Sequence, residues 1–130
     1  MTAEIPARLL HLLTEPNFGT LATVRPDNTA QANPMWFEFD GERLRFTHTS
    51  KRAKFRNLQL NPSMALSIFD PADPLSYIEL RGWLEEVIPD PSGAFYVTLG
   101  RRYGNPEQQP PPDSPDRVIL VMRIEKAIGR

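Results

Sequence analysis

Apolar and polar residues alternate over most of this chain, and helical spacing is confined to three short stretches. In IPARLLHLLTE (5–15), Leu9, Leu12 and Leu13 share a face with Ile5, and Pro6 suits a first helical turn. A short helix is expected there. GTLATVR (19–25) and TAQANPMWFEF (29–39) read as strands flanking the turn Pro26-Asp27-Asn28. Asp40-Gly41 then joins the second strand to ERLRFTH (42–48), a strong hairpin signal. A second helix is expected over residues 51–61, capped by Ser50 and stopped before Pro62. SMALSIFD (63–70) alternates cleanly. SYIELRGWLEEVI (76–88) is long enough to bend, and Gly82 marks the expected bulge.

Residues 90–104 predict a third short helix, with Asp90 capping and Pro91 in the first position. Residues 105–116 hold five prolines and no other apolar residue, which predicts a mobile loop. RVILVMRIEKAIG (117–129) closes the pattern as a strand. About six strands joined by tight turns make a mainly β, mostly antiparallel chain with short flanking helices. Curled antiparallel sheets of this size commonly close into small barrels.

At 130 residues, a single domain spanning 1–130 is expected. Net charge is −1 and the isoelectric point about 6.1, so no global basic field draws the chain to nucleic acid. No apolar run approaches the ~18–20 residues that span a membrane, and the first residues lack the pattern of a secretory signal. A cytoplasmic protein is the expectation. Having no cysteine, the chain has no disulfide, thiolate nucleophile or cysteine metal ligand. His11 and His48 show no metal-ligand spacing, and the adjacent Glu85 and Glu86 point to opposite faces of a strand. Nucleotide-binding glycine loops and hydrolase motifs are absent, so no catalytic side chain is nominated.

Charge segregation changes the picture. Between Arg43 and Phe69 there is no acid, but there are six basic residues: Arg43, Arg45, Lys51, Arg52, Lys54 and Arg56. A helix opening Ser50-Lys51-Arg52-Ala53-Lys54 has cations at the end where its dipole favours acids. Free backbone N–H groups, a hydroxyl and cations at one spot are the parts of a phosphate site. Three readings of the cluster stand. Its cations keep the segment soluble or bridge acids elsewhere, they meet a nucleic acid, or they hold a phosphorylated small molecule; the last accounts for most. Around such an anchor, Thr47, Thr49 and Ser50 offer neutral hydrogen-bonding groups. Asn33 and Pro34 mark a kinked or edge strand, and Met35 and Trp36 would be soft, flat neighbours for a ring, or simply core.

The run GTLATVRPDNTAQANPMWFEFDGERLRFTHTSKRAKFRNLQLNPSMALSI resembles the opening half of the pyridoxamine 5'-phosphate oxidase-like flavoprotein superfamily. Within it, the chain is similar to the actinobacterial branch that binds the deazaflavin coenzyme F420. The likeness continues more loosely through YIELRGWLEEV and the last strand. The resemblance implies a Greek-key-like split β-barrel working as a homodimer, with two cofactor sites at the subunit interface. It assigns the cofactor phosphate to Ser50, Arg52 and Lys54, with Thr47 and Thr49 on the strand leading in and Lys51 as an added cation. It lays Asn33, Pro34, Met35 and Trp36 along the ring, and brings Tyr77 and Arg81 from the partner. The implied activity is F420-dependent hydride transfer to an unsaturated or carbonyl small molecule. An FMN oxidase or reductase of the same fold, or a non-catalytic binder of F420 or flavin, are the alternatives.

Overall fold

The computed structural model describes residues 3–130. Seven strands form one wholly antiparallel sheet: β1 (Gly19–Val24), β2 (Ala30–Met35), β3 (Glu38–Phe39), β4 (Arg43–Thr49), β5 (Ser63–Asp70), β6 (Asp73–Pro89) and β7 (Arg117–Gly129). Their order is β2-β1-β5-β6-β7-β4-β3. The edges of the sheet are therefore β2 and β3, which follow one another in sequence with only Trp36 and Phe37 between them. Three Cα–Cα steps span at most about 11 Å. The sheet must curl until its two edges nearly meet, and the Trp36-Phe37 link is the seam of the resulting barrel.

The expected strand over 29–39 is thus two strands serving opposite edges. Pro34, which lacks a ladder donor, sits in edge strand β2 as its chemistry requires. Inside the barrel, Leu21, Phe46, Leu66, Ile78, Leu80 and Leu120 are fully buried, together with Phe37 from the seam. The β5 pattern, with Met64, Leu66 and Ile68 inward, is the alternation of a strand facing a core on one side. Helix α1 (Leu10–Thr14), entered through a 3₁₀ turn over Ala7–Leu9, is shorter than the expected 5–15 and packs Leu12 and Leu13 into the same core.

Long strand β6 bends where expected. Its pairing with β7 slips between Arg81 and Gly82, and a Cβ built on Gly82 would lie 1.7 Å from the Arg123 carbonyl oxygen. Only glycine allows that approach. Helix α3 (Ala94–Arg102) starts later than expected. Gly93 precedes it in the left-handed region (φ 72°), and Asp90 reaches in to accept from the Phe95 amide at 3.0 Å. The proline-rich segment after α3 packs against its neighbours. Pro110 and Pro111 touch the Gly93 corner, Ser114–Asp116 form a 3₁₀ turn, and Asp113 pairs with Arg117.

The larger correction concerns the basic helix. Helix α2 runs Ala53–Leu60, not 51–61, and its N-cap is Arg52, with extended backbone and no side-chain cap. Ser50 does not cap it: both the Ser50 amide and hydroxyl donate to the Asp116 carbonyl, at 3.0 and 3.3 Å. Lys51 and Arg52 therefore lie on a turn ahead of the helix, and only Lys54 occupies its first turn.

Candidate functional site

A cleft of about 810 Å³ opens beside the seam, walled by β2 and β4 and by the start of α2. Of the residues nominated from sequence, Asn33, Pro34, Met35, Trp36, Thr47, Arg52 and Lys54 all line it. The other five do not. Thr49 is buried beside it, with its hydroxyl oxygen 3.4 Å from the Lys51 amide. Ser50 is tied to Asp116, and Lys51 is exposed. Tyr77 and Arg81 lie along β6, away from the cleft of their own chain, where Arg81 pairs with Glu79.

The cations in the cleft are unlike ordinary surface charges. Lys54 is 5% exposed, and among the described residues its ammonium hydrogen-bonds only the Met35 sulfur, at 3.2 Å. Among the described residues no carboxylate pairs with Lys54, Arg52, Lys51 or Arg56. Burial, reinforced by Arg52, pushes the Lys54 ammonium below its usual range. A buried cation without a counter-ion is costly unless something else neutralises it. Strand β4 adds two further unsatisfied groups. Thr47 Oγ1 and His48 Nε2 are both buried without a partner among the described residues. Such orphans are rare in native proteins and call for an explanation. Two cations with no counter-ion among the described residues, beside two buried hydrogen-bonding atoms left unpartnered there, fit an anionic oxygen-rich group in this cleft.

Strand β2 supplies the opposite wall through Gln31, Asn33 and Met35 of one face, and through Pro34. Asn57 on α2 donates to Gln31 Oε1 (2.9 Å) and to Thr23 Oγ1 (3.3 Å), and Gln31 donates to Asn33 Oδ1 (3.2 Å). This amide relay fixes Asn33. Beyond it, Trp36 stacks on Tyr103 with centroids 5.5 Å apart and planes 14° from parallel, and Tyr96 tilts against it at 5.7 Å. The Tyr103 hydroxyl donates to the Asn17 carbonyl (2.7 Å) and accepts from the Phe37 amide (3.0 Å). Arg102 donates to the Phe37 carbonyl and to the last carbonyls of α1. These contacts hold the seam, and with it the aromatic wall, in one place.

Sequence reasoning missed Phe18, Gln31, His48, Ala53, Tyr96 and Arg117, which also line the cleft. Gln31 was readable from the strand period, since it shares a face with Asn33 and Met35. Tyr96 and Arg117 arrive through α3 and β7, 40 residues or more from the basic cluster, and no local signal marks them. Arg117 is pinned by Asp113 (2.9 Å) and lies over the Tyr96 ring at 4.8 Å.

Comparison with known proteins bears on the fold and the family. The model of the pyridoxamine 5'-phosphate oxidase family matches residues 5–129. An F420 reductase of known structure is similar over nearly the whole chain, with 52% identity and a TM-score of 0.92, covering 95% of this chain and 98% of that one. A conserved hypothetical protein from Mycobacterium tuberculosis (20% identity, TM-score 0.77, 98% and 85% coverage) shares the fold. So does general stress protein 26 from Bacillus anthracis (19%, 0.70, 94% and 90%). No protein of curated function is significantly similar. With a family match over almost its full length, the chain belongs to the pyridoxamine 5'-phosphate oxidase family.

Proposed function

We propose that the protein is an F420-dependent oxidoreductase, a reductase acting on an unsaturated or carbonyl small molecule, and that it works as a cytoplasmic homodimer. The observation that carries this reading is the buried, counter-ion-free Lys54 beside Arg52 in a cleft lined on one side by flat side chains. The 52% identity to an F420 reductase supports the deazaflavin over FMN. Lys51 and Arg56, exposed near the cleft and without acidic partners among the described residues, suit the anionic tail that distinguishes F420 from FMN.

In this reading Lys54, Arg52 and Thr47 hold the cofactor phosphate. Thr49 and Ser50 shape the turn that presents Lys51 and Arg52. Asn33, Pro34, Met35 and Trp36 lie along the ring, and Tyr77 and Arg81 complete the site of the neighbouring subunit. When bound, reduced F420 supplies a hydride to the electron-poor atom of the substrate. The chain's own part is to bind the anion, to orient reactants against the fixed Trp36–Tyr103 wall, and to keep water from the ring. No side chain in the cleft is nominated as general acid, and the balancing proton comes from solvent.

Titrating the purified protein separately with F420 and FMN, followed by fluorescence, tests the assignment. Tighter binding of F420 is expected, and binding of FMN alone overturns it in favour of an FMN enzyme. Turnover is tested by oxidation of reduced F420 with a panel of enones, quinones and tetrapyrroles. A rate no greater than without protein would make this a cofactor-binding protein only.

A further inference from the structure

His48 takes no part in the reading above, yet with Thr47 it is one of two cleft side chains left with a buried, unpartnered polar atom among the described residues. It is 6% exposed, lines the cleft wall, and its Nε2 has no partner among the described residues. An imidazole buried for packing alone would be expected to use both nitrogens in hydrogen bonds. Three cations and one acid act on it from the surrounding elements. Lys54 comes from α2, Arg52 from the turn ahead of α2, and Arg117 from β7, while the single acid, Asp113 in the proline-rich segment, is already paired with Arg117. Tyr96 on α3, also at the cleft, lies against Arg117 rather than against a carboxylate.

We infer that His48 is a latent cation of the anion site: neutral in the ligand-free cleft, it takes a proton from solvent when an anion settles against Lys54 and Arg52. The physical reason is local. Burial first, and then the potential of Lys54, Arg52 and Arg117, hold the free imidazole neutral, with its pKa lowered to about 4. An anion held by Lys54 and Arg52 offsets that potential, so the same imidazole is charged more easily in the occupied cleft. An opposite charge placed nearby raises an imidazole pKa by about one to three units. Anion affinity therefore rises as pH falls through the range near 5–6, and binding there is accompanied by proton uptake.

This inference rests on the reading of the cleft as an anion site, but it does not depend on which cofactor binds. Sulfate is the probe, because its own charge is constant over this range. In the full-length protein the imidazole signals of His48 and His11 are followed by NMR from pH 4 to 8, with and without saturating sulfate. His11 stands outside the cleft on α1 against Asp70 and serves as the control. The expected result is a His48 midpoint that moves up by at least one unit in sulfate, with His11 unmoved. His48→Gln keeps a hydrogen-bonding group and removes the titration. Its sulfate affinity is expected to be independent of pH between 5 and 7, where the parent's rises several-fold on acidification. An unmoved His48 midpoint, a His48 already charged at pH 7 without anion, or the same pH dependence in His48→Gln would each overturn the inference. If neither F420 nor FMN binds while sulfate still moves His48, the cofactor reading falls and the inference stands. If a cofactor binds while sulfate leaves the His48 midpoint unmoved, the reverse holds.

Discussion

Lys54 puts function and stability in opposition. Its ammonium is removed from water and has a thioether in place of a counter-ion, an arrangement that strains the ligand-free protein and is relieved by an anion. Lys54→Met should therefore raise the unfolding free energy of the ligand-free protein by about 1 kcal/mol, and weaken anion binding by about 1.5–3 kcal/mol. Arg52 is exposed, so Arg52→Ala should cost a similar amount of binding with no gain in stability. Urea titrations with and without ligand measure both quantities. His48 gives a second residue-level expectation. Its folded pKa is depressed, to about 4 against about 6.5 for an unfolded chain, so its contribution is present above pH 6.5 and is lost as pH falls toward 4. Its loss costs on the order of 3 kcal/mol. The ligand-free protein should lose that much stability between pH 6.5 and 4, and His48→Gln should flatten the profile measured by denaturant unfolding.

Among the elements, those with local signals were legible and those set by distant partners were not. The hairpin at Asp40-Gly41, the alternation of β5 and the break at Gly82 each follow from residues within a few positions of one another. The single strand expected over 29–39 became two because β1 pairs with Ala30–Met35 while β4 pairs with Glu38–Phe39, and nothing in TAQANPMWFEF states that its halves serve opposite edges. The helix expected from residue 51 begins at Ala53 because Asp116, brought by the end of the proline-rich segment, captures Ser50. The basic cluster was readable from charge alone. The aromatic wall behind it needed Tyr96 of α3 and Tyr103 just after it, which meet Trp36 only in the closed barrel. At Gly82 the local reading and the packing coincide, which makes it a sharp test. Gly82→Val should cost about 2 kcal/mol or more by driving a side chain into the Arg123 carbonyl, read as a lowered midpoint in thermal or urea unfolding.

For the molecule as a whole, the outer surface carries apolar side chains that a lone barrel does not bury: Phe69, Leu75, Tyr77 and Trp83 on β5, β6 and their turn, and Leu60 at the end of α2. Scattered exposed apolar residues are ordinary, but several along one long strand suit a contact between copies. Sedimentation equilibrium should give a mass near twice the 14.8 kDa of the chain, and Leu75→Lys combined with Tyr77→Lys should shift it toward one. A monomeric parent protein would remove Tyr77 and Arg81 from the cofactor site.

The strand order has a further consequence, for how the protein is made. β7 lies between β6 and β4, so these two neighbours have no common partner until residues 117–129 have been synthesised. Until then the growing chain has β4 and β6 as open edges, the kind of edge that pairs with other chains. The barrel, its seam and the cleft can therefore be completed only late in biosynthesis, and interrupted or truncated translation should yield aggregates rather than partly active enzyme.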